Sequence, residues 1–203
     1  ANGIEVLFSV AEHDVEEFKD KAQEIYQYFK VIPKFDGDTE IVVPEYVLRG
    51  SIWGLQAKDG ERGYHRSFEA SAIMGQVRYP IDVDQIEDNR VKELLNSGVE
   101  IHFDIGDLDI TPSRESLSYN EYTKKNIIDT CVYVLEEMKE VLQENFDDCE
   151  SLYGARVKFQ QLKHSPNTQG LAEIVNAGDA QWNGQNLWEG EEAVSYTHLR
   201  AHE

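Results

Sequence analysis

Hydrophobic and polar positions alternate most cleanly at Val99, Ile101, Phe103 and Ile105, with Glu100, His102 and Asp104 between them; this period of two predicts a strand. The same period at Ile4, Val6, Phe8 and Val10, interleaved with Glu5, Leu7 and Ser9, predicts another with at least one buried face. Helical spacing is clearest over residues 120–145, where Ile127, Cys131, Leu135, Met138 and Leu142 fall on one stripe and Ser118 with Glu121 has the spacing of a capping box. At ~1.5 Å per residue that helix spans about 39 Å, and its stripe predicts core packing, with no ligand assigned to it. A shorter helix is expected from Asp14, as cap, to about Phe29, with Val15, Phe18, Ala22, Ile25 and Phe29 along one side. Residues 84–96 predict a third, with Ile86, Val91, Leu94 and Leu95 apolar and Asn96-Ser97-Gly98 as the stop.

Weaker patterns fill the gaps. Residues 36–39 read as a turn, and the apolar run 41–48, broken by Pro44, predicts an edge strand. Residues 50–63 read as a loop containing Trp53, with Lys58-Asp59-Gly60-Glu61-Arg62-Gly63 as a hairpin tip. Over residues 64–82, Phe68, Ala70, Ala72, Met74, Val77 and Tyr79 predict one strand with a bulge at Gly75 and Pro80 near its end. Beyond Asp148, Ala155, Val157 and Phe159 suggest a strand, residues 168–176 a short helix and residues 178–190 a tryptophan-containing loop. The expected fold class is α+β: a mostly antiparallel sheet with helices on one side and a long helix toward the C-terminus.

Composition narrows the function more than the fold. At 203 residues and 40% hydrophobic content the chain can bury a sizeable core in one or two domains. Nineteen basic against thirty-nine acidic residues give a formal charge of -20, which repels a phosphate backbone and argues against broad nucleic-acid contact while leaving a local basic site open. Two cysteines, Cys131 and Cys149, are too few for a disulfide framework and predict reduced, buried thiols in a cytoplasmic compartment. No apolar run approaches the roughly 20 residues that cross a bilayer. Because the first residue is not Met and the chain opens inside a strand pattern, a fragment lacking its upstream partner is expected.

Residues 107–120, Asp-Leu-Asp-Ile-Thr-Pro-Ser-Arg-Glu-Ser-Leu-Ser-Tyr-Asn, leave the alternating strand, turn through Thr111 and Pro112 and carry Arg114 to the entrance of the long helix. A helix entrance has unpaired N–H groups and the positive end of the macrodipole, so an arginine there adds to a field that favours phosphate or carboxylate. Its rigid fork can bind two oxygens at once. The plainer alternative is an exposed arginine paired with Glu115 or with an acid of a neighbouring strand.

Ser113-Arg114-Glu115-Ser116-Leu117, preceded by Gly106-Asp107-Leu108-Asp109-Ile110 and followed by a long helix, resembles the catalytic loop in the middle domain of the ninety-kilodalton heat-shock chaperones. With residues 70–82 included, notably Ala72-Ile73-Met74-Gly75-Gln76-Val77-Arg78-Tyr79-Pro80-Ile81, the chain is more specifically similar to a piece of the RIIA rapid-lysis proteins of T-even-type phages. Those resemble the same GHKL ATPase superfamily, to which gyrase and MutL belong. The resemblance implies a transducer-like middle domain over residues 31–148. Residues 1–30 would be the last strand and linker helix of a truncated nucleotide-binding domain, although an ordinary strand-helix edge of any α+β domain has the same pattern. Residues 149–193 would start a further module, and residues 194–203 look like a translated sequencing-adapter tail, outside the native protein.

The resemblance also implies a reaction. ATP and magnesium would sit in the upstream part, held there by an Asn and an Asp motif, with Arg114 as the catalytic residue reaching the terminal phosphate and Ser113 beside it as a phosphate contact. No metal ligand is assigned to this segment, and alone it is expected to hydrolyse nothing. One departure is Ser118, which stands where the chaperones have a glutamine and puts a second side-chain contact to the phosphate in doubt. The alternative from the same resemblance is a non-catalytic acidic interaction module that acts with an RIIB-like protein in lysis timing or phage exclusion. It would use Trp53, Trp182 and Trp188 on loops, with room for a homodimer and for peripheral association with the inner membrane of the infected bacterium.

Other chemistry is poorly represented. His198 and His202 are four apart but lie in the suspect tail, without the Glu of a metalloprotease helix. Asp104, Asp107 and Asp109 around Gly106 have the wrong order for an EF-hand and read as a solvated acidic turn. His65 and His102 stand alone on strand-like segments. No Gly-x-Ser-x-Gly, Walker loop or dinucleotide fingerprint is present, and nothing selects an acid/base pair from the many carboxylates.

Overall fold

Pro44 has no N–H to give a ladder, and the first strand begins only after it. In the computed structural model, which describes residues 3–36, 39–56, 69–164 and 180–187, five strands form one sheet. They are β1 (Tyr46–Arg49), β2 (Trp53–Gln56), β3 (Ser71–Met74), β4 (Val77–Pro80) and β5 (Glu100–Phe103), in the order β1-β2-β5-β3-β4. Only the β3–β5 ladder is parallel; the β1–β2, β2–β5 and β3–β4 ladders are antiparallel. The class is α+β, as the alternation predicts, and β1 is an edge strand.

One face of this sheet makes the core. Trp53 and Leu55 of β2, Ala72 of β3, Tyr79 of β4 and Ile101 and Phe103 of β5 join α2 (Asn89–Asn96) and α3 (Glu121–Asp147) in a single buried cluster. The predicted stripe of α3, Ile127, Cys131, Leu135, Met138 and Leu142, is buried along its length. Glu137 of α3 ties the helix to the β1–β2 turn, accepting from the Trp53 indole Nε1 at 2.8 Å and from the Ser51 N–H at 2.9 Å. The opposite face carries Gly54, Ser71, Ile73, Glu100 and His102, adjacent across the ladders.

Several expectations are corrected. Residues 4–10 form no strand, and Ile4, Val6, Leu7 and Phe8 are exposed; an extended segment becomes a strand only when a neighbour takes up its N–H and C=O groups, and none among the described residues does. A helix, α1 (Val15–Tyr26), follows as predicted, but the Asp14 side chain at its N-cap makes no capping hydrogen bond and no residue of α1 is buried. Within residues 50–63, read as a loop, β2 pairs on both sides and Trp53 is buried, which removes it as an exposed anchor for a partner. Gly54 hid the strand by breaking the alternation. It is needed because the Tyr46 ring crosses it: a Cβ there would lie 2.4 Å from that ring.

The single strand expected over residues 64–82 is a hairpin in its described part. Gly75 (φ 68°) takes the first central position of a two-residue turn, as a type II′ turn requires. Apolar parity shifts from even (Ala72, Met74) to odd (Val77, Tyr79) across Gly75-Gln76, which marks a turn and not a bulge. The helix expected over 84–96 starts later, because the Asp88 carboxylate caps the N–H groups of Arg90 and Val91; only a 3-10 turn, Val83–Gln85, precedes it. The cap of α3 is Asn120, whose side chain accepts from Thr123 N–H, and not Ser118.

Ala155, Val157 and Phe159 lie in a helix, α4 (Leu152–His164), not a strand. Positions two apart are also compatible with a four-residue repeat, and Val157 is exposed while Ala155 and Phe159 are buried. The described part of the tryptophan loop is a hairpin, β6 (Gln181–Trp182) and β7 (Gln185–Asn186), turned by Asn183 and Gly184, both at positive φ. Ala155, Phe159, Ala180 and Leu187 all pack into the same cluster as the sheet. The expected hairpin tip at 58–63, the helix at 168–176, Trp188, His65 and the tail at 194–203 lie outside the described residues.

Burial pushes the Cys131 thiol up to about 12, with Asp88 adding to the shift. A raised folded pKa means that this group's contribution to stability is complete below about pH 9 and is lost as pH rises toward 12. At about pH 8, iodoacetamide is therefore expected to modify Cys131 no faster than the chain unfolds, while Cys149 reacts in the folded state. Alkylation of Cys131 in native buffer at the rate of a denatured control would contradict its burial.

Candidate functional site

The segment between β5 and α3 is assembled from two buried leucines and a set of polar ties. Leu108 and Leu117 are buried at either end of a small hairpin, which is closed by an antiparallel bridge between Ile110 and Leu117. Its base is held by the first two turns of α3. Thr123 Oγ1 accepts from Asp109 N–H at 2.9 Å, Asn126 Nδ2 donates to the Asp107 carbonyl at 2.7 Å, and Asn120 Nδ2 donates to the Asp109 carboxylate at 2.6 Å. Ser118 N–H completes the base by donating to the Asp109 carbonyl at 2.8 Å. From the far side the Tyr119 hydroxyl accepts from Asp82 N–H at 2.6 Å.

Above this base the chain reverses in one tight loop. Thr111 N–H donates to the Ser116 carbonyl at 2.9 Å, and Thr111 Oγ1 lies within 3.2 Å of both Ser116 oxygens and 3.0 Å from Ser113 Oγ. Pro112 supplies the fixed φ of a turn that closes with Arg114 N–H on the Thr111 carbonyl at 2.8 Å. Arg114 then adopts φ 63°, a left-handed conformation that costs a side-chain-bearing residue roughly 1–2 kcal/mol. The ties around Thr111 hold it there.

Arg114 is exposed at the tip. Among the described residues, no hydrogen bond or ion pair holds its guanidinium, and the pairing with Glu115 left open by the sequence does not form. One part of the expected arrangement is corrected. Arg114 stands six residues before the cap of α3, on a hairpin, and not in the helix entrance. Asn120 already occupies the helix N-terminus, and the dipole's influence fades within a turn, so α3 contributes rigidity and not field. Ser113 is exposed beside Arg114, with its hydroxyl shared with Thr111; Ser118 spends its N–H on the loop base.

Other candidates resolve individually. Asp107 Oδ2 accepts from Asp104 N–H at 2.9 Å and Asp109 is taken by Asn120, so this acidic turn is internally bonded. Among the described residues no three His, Cys, Asp or Glu side chains are grouped so as to share a metal ion. Trp182 is half-buried, its Nε1 donating to the Cys149 carbonyl at 2.9 Å.

Sequence reasoning missed a polar cluster on the second face of the sheet. Glu100, in the polar phase of the β5 alternation, is 5% exposed. Its carboxylate accepts from Tyr28 Oη, from Gln56 Nε2 at 2.7 Å and from Tyr46 Oη at 3.0 Å. Burial, followed by the Glu100 charge, pushes the Tyr28 phenol well above the usual phenol range, so it stays a donor. His102, exposed on the same face, is held below the usual imidazole range mainly by partial desolvation of its ring, with Glu100 opposing and Arg49 adding. Alternation places Glu100 among the polar, solvent-side positions of β5, so the pattern carried no signal for this cluster.

Comparison with protein-family models, curated proteins and solved structures gives no match to this chain.

The left-handed Arg114 is directly testable. Replacing it with Gly is expected to leave stability unchanged or raise it by up to about 1 kcal/mol, because relief of strain is offset by backbone entropy. Arg114→Val should lower stability by about 1–2 kcal/mol. Equal urea midpoints for the two variants would show that position 114 does not hold a positive φ.

Proposed function

We propose that this chain is the transducer-like middle segment of a GHKL-type ATPase resembling phage RIIA proteins, and that Arg114 acts on a nucleotide bound elsewhere in the full-length polypeptide. The observation that carries this reading is an exposed guanidinium with no partner among the described residues, on a loop braced from Thr111, Asp109 and α3. The turn is held by Thr111 and not by the arginine side chain, which leaves the guanidinium available for contact. The fit to the implied cofactors is limited to a phosphate contact: Arg114 and Ser113 can meet anionic oxygens, and the described residues offer no magnesium ligand set. ATP with magnesium, where bound, would supply the terminal phosphoryl group.

On this reading, closure of the two parts brings the Arg114 fork against oxygens on which charge builds up in the transition state. Ser113 stands close enough to share that contact once its hydroxyl turns from Thr111. Because the loop is already ordered, little reorganisation accompanies closure, and the hairpin transmits nucleotide state to the sheet through β5 and α3.

A second reading is favoured by the exposed apolar side chains of residues 4–8 and the formal charge of -20: a non-catalytic module that pairs with an RIIB-like protein or with itself. No helix among the described residues is long and apolar enough to cross a membrane.

In the full-length protein, Arg114→Ala is expected to reduce ATP turnover by roughly a thousandfold while nucleotide affinity changes little. Arg114→Lys, which keeps the charge but loses the fork, should fall between. Unchanged turnover in Arg114→Ala removes the arginine from the mechanism, and failure of the full-length protein to bind ATP favours the interaction module.

A further inference from the structure

We propose that the C-terminal half of α3 and the start of the β6–β7 hairpin form a docking groove for a basic amphipathic segment of a partner protein. Apolar side chains of that segment rest on the groove floor while its lysines or arginines meet an acidic rim. The proposal is independent of whether Arg114 meets a nucleotide, because the groove is at the other end of α3: Lys139 lies sixteen residues, about 24 Å, beyond Thr123.

The groove has a volume of about 460 Å3 and opens to solvent. Its floor is Leu142, Phe146 and Ala180, all of which also belong to the core cluster, so the floor is anchored to the rest of the fold. The chain leading from Ala180 into β6 is held against α3 by a two-way amide clamp. Gln143 Nε2 donates to the Gln181 carbonyl at 2.7 Å, and Gln143 Oε1 accepts from the Gln181 N–H at 3.4 Å. Trp182 Nε1, bonded to the Cys149 carbonyl, fixes the hairpin a second time. The groove is therefore formed before any partner arrives.

Its rim on α3 carries Glu140, Glu144 and Asp147, with Lys139 at one end turned to Glu136 at 3.3 Å. Asp147 accepts from Gln143 Nε2 at 2.9 Å, but among the described residues no ion pair reaches Glu140, Glu144 or Asp147. This arrangement weakens the helix that bears it. Glu136, Glu140, Glu144 and Asp148 succeed one another at i,i+4, where like charges repel, and no basic residue stands in the last turn to balance the negative end of the macrodipole. The N-terminal half of α3 is built the other way, with Lys125 paired to Asp129 at i,i+4. A cation from outside the chain relieves the repulsion, and the floor selects which kind. A bare metal ion has no use for apolar contacts, and among the described residues no three carboxylates group to share one. A lysine or arginine lays its aliphatic stem on Leu142 and Phe146 while its head meets the carboxylates, and leucine-like neighbours in the same segment fill the remaining volume. The formal charge of -20 steers such a segment toward the chain.

The test is calorimetric titration of the chain as it stands with two synthetic peptides of equal charge, one of lysine and leucine at helical spacing and one with serine in place of each leucine. The leucine peptide is expected to bind wild type about tenfold or more tighter than the serine peptide, because only it covers the floor. The double variant Glu140→Gln, Glu144→Gln should bind the leucine peptide about five- to thirtyfold more weakly, the worth of two partly exposed charge pairs. A control with the same net charge, Glu115→Gln with Glu121→Gln at the far end of α3, should stay within about twofold of wild type. Without peptide, the groove variant is expected to melt about 2–4 °C higher than wild type, since repulsion along the row is removed. Four results would overturn the proposal. They are no binding of the leucine peptide, equal affinity for the two peptides, equal weakening in both double variants, or a groove variant that melts no higher than wild type. The second and third would show a response to net charge alone, and the fourth that the carboxylates serve the fold.

Discussion

Strand β5 has neighbours on both edges and packed material on both faces, and most of the fold follows from how it meets those four demands. Toward the helices it offers Ile101 and Phe103, which fix where α2 and α3 lie. Toward the other face it offers Glu100, whose charge can be buried only among donors. Those donors then constrain the neighbouring strands. Tyr46 must stand on the polar face while Leu48 stays in the core, and an irregularity in β1 between the two permits both. Gly54 must lack a side chain so that the Tyr46 ring can pass. A single buried carboxylate thus explains a bulge, a glycine and a tyrosine on three positions that hydrophobic patterning alone would not select.

The same strand sets the reach of the Arg114 loop. Residues leaving β5 are caught by α3 side chains before they are free to wander: Tyr122 contacts the Gly106 carbonyl, Thr123 the Asp109 N–H and Asn126 the Asp107 carbonyl. These three lie on neighbouring positions of one helical face, so the helix that covers the core also grips the loop. Strain at Arg114 persists because Thr111, not Arg114, carries the bonds that define the turn. The tip can therefore exchange its side chain without losing its shape, a property suited to a residue kept for contact with something outside the sheet.

Legibility of the sequence followed how local each cause was. The α3 stripe, the edge position of β1 and the stop at Gly98 depend on spacing, a missing N–H and a positive φ (77°), all properties of the segment itself, and they were readable. Residues 4–10 have the pattern of a strand but no neighbour among the described residues, and no pattern in one segment can reveal that. The β3–β4 turn was readable in principle from the parity shift at Gly75-Gln76. Helix α4 was masked because Ala155, Val157 and Phe159 satisfy both a two-residue and a four-residue repeat. At the candidate site, the arginine and its turn were visible in Thr-Pro-Ser-Arg, whereas the ties to Thr123, Asn126 and Tyr119 come from elements brought together only by folding. Glu100 was hidden for a related reason: alternation assigns its side to solvent, and only Tyr28, Tyr46 and Gln56, brought in from other segments, close over its carboxylate.

Electrostatics bears on what Arg114 can serve. With twenty more acidic than basic residues, the chain's summed field repels polyanions from solution, and one exposed guanidinium cannot reverse it at distances beyond the Debye length of about 8 Å. Capture of a free, highly charged ligand by this loop alone would be weak. A phosphate already held in another part of the same polypeptide avoids that barrier, because tethering sets its effective concentration in the millimolar range without any attraction from bulk. Loss of the arginine in that arrangement would alter the rate of the chemical step more than the affinity for nucleotide, since affinity is determined where the ligand is first bound. On the proposed reading, a net-acidic segment presenting Arg114 on a braced loop suits contact in trans better than recruitment from solution.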